Sequence, residues 1–246
     1  MFSEQELRGK GAKRAALEYI IAQDPTIPVP EIVDESHIGL GVIVRSDHWR
    51  EFDSFYGIFD SVVLGQEFFE SSTLTTTFID SLEQALMLIN FQSPHPNLQR
   101  YADFKRRIFD YYIAQRGLSP EEVLSELRIL PQRFIEARHT GTIFEHPNVP
   151  NRYVVFVGPH PLGFVVDYSN PANVILAEIG GSKAPPEKVL NRSDTINYDD
   201  LTSVIELYRK VSSLPKFQDG FVYMMEFSTN PVYVLQMRLF RPVEDG

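Results

Sequence analysis

Apolar residues recur at helical spacing in four segments, and each segment is expected to form an amphipathic helix with one buried face. These segments are residues 10–23, 77–90, 101–116 and 202–211. A further helix is predicted to begin after Ser119, because a serine N-cap, a proline at the first helical position and Glu122 together form a capping box. Gly117 is expected to cap the C-terminal end of the helix that precedes it.

Shorter apolar or alternating runs predict β-strands. They lie at residues 41–45, 153–157, 163–167 and 174–179. Two alternating runs near the end of the chain, 220–227 and 232–239, flank Ser228-Thr229-Asn230-Pro231 and predict a β-hairpin. The proline-bearing stretch 180–191 is expected to be a loop. The chain is therefore expected to be an α+β protein with a helical middle between two β-containing ends.

Composition narrows the class of protein. A chain of 246 residues with 43% hydrophobic residues can bury a sizeable core, and we expect a single domain over 1–246. The formal net charge of −10 argues against a large surface for nucleic acid or for an anionic membrane. The absence of cysteine excludes disulfides and thiolate chemistry. No run approaches the roughly 20 apolar residues of a membrane helix, and the acidic N-terminus lacks a signal-peptide hydrophobic region, so a cytoplasmic location is expected.

Three separate segments carry the candidate chemistry. Lys10 stands between two glycines, Arg45 ends an apolar strand, and the hairpin carries Glu226, Gln236 and Arg238. Because side chains alternate along a strand, Gln236 and Arg238 share a face that Glu226 can join from the partner strand. Cations suit phosphate oxygens and hard oxygen ligands suit magnesium, so this set of residues favours a polyphosphate with its metal ion.

Each candidate also has a simpler interpretation. Lys10 can be a solvated lysine in a flexible loop, Arg45 can be a surface arginine paired with Asp47 or Glu51, and the polar face of the hairpin can be open to water. The six histidines form no His-x-x-x-His or His-Glu-x-x-His metal motif. No Gly-x-Ser-x-Gly segment indicates a hydrolase nucleophile.

The order of five segments carries a resemblance to a known family. The segments are Gly9-Lys10-Gly11-Ala12, Pro28-Val29-Pro30, Arg45-Ser46-Asp47, Gly57-Ile58-Phe59-Asp60-Ser61, and Glu226 with Leu235-Gln236-Met237-Arg238. Together they resemble the nucleotide-binding domain of the phosphoenolpyruvate synthase and pyruvate phosphate dikinase family, which has an ATP-grasp fold. Residues 163–171 and 174–181 resemble two further strands of that domain, and the second strand contributes Glu178 as a candidate. The simpler interpretation makes Glu178 a carboxylate at the rim of a cleft.

This resemblance implies a fold, ligands and roles. It implies two subdomains, approximately 1–70 with 152–246 and a helical segment 71–151, with the hairpin over a nucleotide cleft. It implies ATP and Mg²⁺ as ligands, with Arg45 and Arg238 as catalytic residues acting on the transferred phosphoryl group and Glu226 and Gln236 holding the metal. The residues implied to contact the nucleotide are Lys10, Arg45, Glu178, Glu226, Gln236 and Arg238.

Two departures from the family pattern keep the function open. Asp47 replaces the family's second serine, and Met224 replaces an aspartate of the terminal strand. One hypothesis is an ATP-dependent phosphotransferase, or kinase, whose acceptor is unknown or is a separate phosphohistidine-carrier protein. The alternatives are a degenerate, non-catalytic nucleotide-binding or regulatory protein, and an interaction protein with a vestigial pocket. ATP consumption, nucleotide binding without turnover, and the absence of any nucleotide-dependent thermal shift distinguish the three.

Overall fold

Helices and antiparallel strands both contribute to the fold. The computed structural model describes residues 1–33, 41–52, 61–64, 96–158, 162–167, 174–179, 182–184 and 196–239. Within these residues the protein forms five α-helices and two antiparallel sheets, which confirms the predicted mixed α+β class. The helices are α1 (Glu4–Lys10), α2 (Ala12–Gln23), α3 (Pro96–Arg116), α4 (Pro120–Glu126) and α5 (Tyr198–Ser212). The predicted helix at 77–90 lies outside the described residues.

The two sheets differ in size. The smaller sheet has the order β2-β1-β3, and the larger has the order β10-β9-β4-β5-β6-β7-β8. The strands of the smaller sheet are β1 (Val42–His48), β2 (Ser61–Leu64) and β3 (Leu127–Arg133). Those of the larger sheet are β4 (His139–Glu145), β5 (Arg152–Gly158), β6 (Leu162–Asp167), β7 (Val174–Ile179), β8 (Ser182–Ala184), β9 (Tyr223–Thr229) and β10 (Tyr233–Leu239). The predicted hairpin is therefore confirmed, and it shares a sheet with the predicted strand at 174–179.

The first predicted helix, at 10–23, is wrong in extent, because two helices meet at Gly11. Helix α1 begins with a capping box at Ser3 and ends at Lys10, and Gly11 adopts a φ of +89° before α2 begins. A residue with a Cβ is strained at that φ, so glycine permits the chain to turn between the helices. The capping box at Ser119 and the C-terminal cap at Gly117 are both confirmed.

The segment expected to be helical, 71–151, contains two strands, β3 and β4. Strand β3 follows α4 directly and contains Pro131, which a strand tolerates at the edge of a sheet because an edge residue need not donate on its outer side. The loop expected at 180–191 is also corrected, since Ser182–Ala184 pairs with β7 as a strand too short to show alternation. The division into subdomains stays a prediction.

Two hydrophobic cores hold the layers together. The larger core lies where α2 and α5 cover one face of the seven-stranded sheet, and it includes Leu17, Ile20, Val204, Tyr208, Met225, Phe227, Val234 and Met237. The smaller core lies where α3 covers the three-stranded sheet, and it includes Val42, Val44, Phe104, Ile108, Tyr112 and Ile129. The alternate residues of these strands point away from the cores. Among them, Ile43 and Arg45 of the smaller sheet and Thr142 and Glu226 of the larger sheet line a common cavity.

Candidate functional site

A cleft of about 460 Å³ lies between the two sheets. Its size is that of an ordinary small-molecule pocket. Apolar side chains form much of its wall, and the aromatic rings of Phe134 and Phe156 are each 42% exposed. Polar and charged side chains from β1, β3 and β9 also line it: Arg45, Gln132 and Glu226. The cleft therefore combines apolar walls with a charged end.

The register of the hairpin places three polar side chains on one face, and one of them, Glu226, lines the cleft. Val234 pairs with Phe227 and Gln236 pairs with Glu226, so Leu235 is the extra residue of a β-bulge. Because Gln236 stands directly opposite Glu226 and Arg238 follows two residues later, all three share one face. The predicted common face is confirmed, and it is not open to water, since 16% of Glu226 and 2% of Gln236 are exposed.

Arg45 joins the smaller sheet to this hairpin. Its Nη1 donates to the Leu235 carbonyl oxygen at 2.8 Å, and its Nη2 donates to Glu226 Oε2 at 2.8 Å and to Gln236 Oε1 at 2.7 Å. The bulge contributes directly, because it presents the Leu235 carbonyl to the guanidinium group. Arg45 is therefore not the surface arginine of the simpler interpretation. We call Arg45, Glu226, Gln236 and Arg238 the arginine–glutamate cluster.

Glu226 stays ionised within the cluster. Burial alone raises the pKa of a carboxyl group, but the guanidinium groups of Arg45 and Arg238 and the ammonium group of Lys13 outweigh it and hold the pKa of Glu226 below its ordinary value. Arg238 Nη2 lies 3.6 Å from Glu226 Oε1, on the side of the carboxylate opposite to Arg45. Three cations thus act on the Glu226 carboxylate, and one of them, Lys13, also acts on Asp47.

The structure does not bring every candidate to the cluster. The Lys10 ammonium pairs with Glu18 Oε2 at 2.6 Å, and 54% of the Lys10 side chain is exposed. Glu178 lies in β7, which is separated from β9 by three intervening strands of the sheet, and its side chain lies outside the described part of the chain. Lys13, which the sequence reasoning missed, is only 5% exposed. The sequence feature that could have identified Lys13 is that this charged residue shares the buried face of α2 with Ala16 and Ile20.

A carboxylate already occupies the start of α2. Asp47 Oδ1 accepts the backbone N–H of Lys13 at 2.9 Å, and Oδ2 accepts that of Arg14 at 3.0 Å. A Cβ on Gly11 would lie 2.3 Å from Asp47 Oδ2, so the glycine makes room for this carboxylate. Burial raises the pKa of Asp47, although the nearby Lys13 ammonium and the two N–H donors oppose that rise. The segment around Gly11 therefore receives a carboxylate side chain of β1.

Gln132 is a second residue that sequence reasoning missed. It lines the cleft from β3 and is 2% exposed, and its Nε2 has no hydrogen-bond partner. Its Oε1 lies 3.5 Å from Arg45 Nη1. Leaving a buried N–H without a partner costs free energy, so this amide is available to a ligand in the cleft. No sequence signal marked Gln132, because Pro131 obscured the strand.

The site offers few oxygen atoms that could ligate a metal ion. Glu226 and Gln236 offer a carboxylate and an amide oxygen, both already accepting from Arg45, and Met224 stands opposite Arg238 where a thioether replaces the expected carboxylate. Across the described ranges, no group of three or more His, Cys, Asp or Glu side chains is placed to hold a metal ion. These residues fit magnesium only as a partner of a ligand that brings its own oxygens.

Comparison with known protein families finds no family model that matches the chain, and comparison with curated proteins finds no match. The functional argument therefore rests on the residues of this chain. None of the helices formed by the described residues is long and apolar enough to cross a membrane.

Proposed function

We propose that the protein binds ATP in the cleft between its sheets and acts as an ATP-dependent phosphotransferase on a separate acceptor. The observation that carries this proposal is the arginine–glutamate cluster at one end of a largely apolar cleft. A nucleotide has the complementary halves, a flat apolar base and a polyanionic tail. The resemblance to the phosphoenolpyruvate synthase family adds to the proposal, because the same residues of the hairpin carry it.

The apolar wall suits the base. The rings of Phe134 and Phe156 are exposed to the cleft, and aromatic or aliphatic surfaces stack favourably on a purine. The cationic end suits the phosphates, because charge-assisted hydrogen bonds from a guanidinium group to phosphate oxygens are short and strong. Gln132 also lines the cleft, and its Nε2, which has no hydrogen-bond partner, supplies one more donor.

Phosphoryl transfer at this site would require the reacting groups to be positioned and their negative charge to be neutralised. Phosphoryl transfer needs an aligned acceptor and cations around the transferred group, which Arg45 and Arg238 supply as catalytic residues. Magnesium, when it arrives with the nucleotide, would neutralise phosphate charge, with Glu226 and Gln236 as the protein oxygens available to it. Glu226 also holds Arg45 and Arg238 on its two sides, so the two guanidinium groups are arranged before a nucleotide binds.

A second candidate function is nucleotide binding without turnover. Met224 favours it, because this residue pairs with Arg238 on the cleft side of the hairpin and cannot ligate magnesium. With few protein ligands, the metal would be held mainly by the phosphates of the nucleotide. In this alternative, ATP binds with or without magnesium and is not consumed.

Calorimetric titration with ATP, ADP and GTP, each with and without magnesium, tests the binding step. Saturable ATP binding with a stoichiometry near one supports the proposal, and the absence of any nucleotide binding overturns it. ATP consumption is then measured with candidate acceptors, including a histidine phosphocarrier protein. Consumption that depends on Arg238 supports the phosphotransferase, whereas tight binding without consumption supports the second candidate.

A further inference from the structure

Lys13 and Asp47 form a second buried group of charges beside the arginine–glutamate cluster. Lys13 is 5% exposed and Asp47 is fully buried. Burying an ammonium and a carboxylate group is costly unless each is compensated. The compensation here is specific, since the Lys13 ammonium donates to the Ser46 carbonyl oxygen and the Asp47 carboxylate accepts two backbone N–H groups of α2. Because both charges are compensated in this way, Lys13 and Asp47 hold α2 and β1 in one arrangement.

These contacts fix the position of strand β1 relative to α2. The contacts fall on Ser46 and Asp47, the two residues that follow Arg45, and they attach this part of β1 to the first turn of α2. Arg45 itself reaches the hairpin on the other side through Leu235, Glu226 and Gln236. The guanidinium group is therefore fixed between an anchored strand and its acceptors.

Lys13 also acts on the cluster through its charge. Burial raises the pKa of Glu226, and the Lys13 ammonium group, after Arg45 and Arg238, is one of the charges that lower it. Lys10, by contrast, pairs with Glu18 at the surface. The two lysines lie three residues apart, but only Lys13 lies on the buried side of α2.

We propose that Lys13, anchored with Asp47 at the start of α2, is the positioning lysine of the phosphate site, and that nucleotide binding depends on Lys13 and not on Lys10. This inference rests on the proposed function. Lys13 acts by holding Arg45 through Ser46 and by balancing the charge of Glu226 when phosphate competes for the guanidinium group. Removing the ammonium group therefore weakens the interaction with the phosphate tail more than the interaction with the base.

The test compares Lys13→Met, Lys13→Gln and Lys10→Met, with Lys210→Met on the exposed face of α5 as a matched control. ATP and AMP dissociation constants are measured by calorimetry after circular dichroism has verified folding. We expect both Lys13 variants to lose about ten-fold in ATP affinity, the order of one charge-assisted contact, and to lose less in AMP affinity. The Lys10 and Lys210 variants should bind ATP as the unmodified protein does. Lys13→Gln is polar and serves where Lys13→Met fails to fold.

Four outcomes overturn the inference, and they separate it from the proposed function. If the unmodified protein binds no ATP, the proposed function fails and the inference fails with it. If the unmodified protein binds ATP and the folded Lys13 variant binds it equally well, only the inference fails. The same holds if Lys10→Met loses as much affinity as Lys13→Gln, or if ATP and AMP affinities fall alike, because a purely structural role would affect both nucleotides.

Discussion

Arg45 and Glu226 lie 181 residues apart in the chain, and Arg45 Nη2 lies 2.8 Å from Glu226 Oε2. This contact links the smaller sheet to the hairpin of the larger one at the charged end of the cleft. The carboxylate holds the guanidinium group of Arg45 in place, and Arg238 and Lys13 act on the same carboxylate. We therefore expect a phosphate group to approach the arginines while Glu226 keeps them in place.

Gly11 and Gly9 form a matched pair for testing the junction at the start of α2. Gly11 has a φ of +89° and a Cβ there would meet the Asp47 carboxylate, whereas a Cβ on Gly9 would meet nothing within 4 Å. We expect Gly11→Ala to lower the free energy of unfolding by about 1–3 kcal/mol, because it adds backbone strain and displaces Asp47. Gly9→Ala, within helix α1, should leave it unchanged or raise it by up to about 1 kcal/mol. Urea denaturation measures both, and equal effects would contradict this account of Gly11.

Sequence reasoning succeeded where the arrangement of side chains depends on a single secondary-structure unit. The common face of Glu226, Gln236 and Arg238 could be predicted because side chains alternate along paired strands. Their contact with Arg45 could not, because it depends on how two sheets pack together. The burial of Lys13 was also hidden, since glycines drew attention to Lys10 while Lys13 lies among the apolar residues of the buried face of α2.

Strands β3 and β4 show a second limit of sequence reasoning. Pro131 interrupts the pattern of β3, and this strand follows α4 without a turn residue. Strand β4 is recognisable mainly by its pairing, because it lies between β9 and β5 in the sheet. Both strands form by pairing with strands that are distant in sequence, so the local periodicity of the sequence did not predict them.

His48 predicts a loss of stability in mild acid. Its Nδ1 accepts the Arg50 backbone N–H, its Nε2–H donates to Glu126 at 3.0 Å, and its side chain is 1% exposed. Burial lowers the pKa of His48 to about 4 from its ordinary 6.5, although Glu126 opposes that change. Because the folded pKa lies below the unfolded one, the contribution of neutral His48 to stability is complete above pH 6.5 and is lost as the pH falls towards 4. Full protonation of His48 should lower the free energy of unfolding by about 3 kcal/mol.

Urea denaturation at a series of pH values checks this expectation. Carboxylates also titrate in the lower part of the range, so the informative comparison is with His48→Gln, which cannot be protonated. Between pH 6.5 and 4.5 the unmodified protein should lose stability more steeply than His48→Gln. Parallel profiles for the two proteins would remove His48 as the cause.

Met224→Asp should make ATP binding depend on magnesium. Met224 pairs with Arg238 on the hairpin, so aspartate there adds a carboxylate beside Glu226. One further hard oxygen ligand should strengthen the effect of magnesium on ATP affinity by about ten-fold. Met224→Asn, with the same size and no charge, is the control. The expectation fails if calorimetry gives both variants the same magnesium dependence.

Gln132→Met should separate stability from ligand binding. The buried Nε2 of Gln132 has no partner, so replacing the amide by an apolar side chain should leave the unfolding free energy unchanged or raise it. ATP affinity should fall, by about ten-fold, because the donor is lost from the cleft. Thermal denaturation and calorimetry measure the two effects, with exposed Gln23→Met as the control. A variant that is destabilised and binds ATP normally would assign Gln132 a structural role.

The most direct test of the central claim is the ATP affinity of Arg45→Lys measured by calorimetry beside that of the unmodified protein. Lysine keeps the charge but cannot reproduce the planar fork that reaches Leu235, Glu226 and Gln236. Arg106→Lys, at a surface ion pair with Asp103, is the matched control. We predict that ATP affinity falls by about ten- to a hundred-fold in Arg45→Lys and is unchanged in Arg106→Lys. An Arg45→Lys protein that is folded and binds ATP as tightly as the unmodified protein would contradict the placement of the phosphates at the arginine–glutamate cluster.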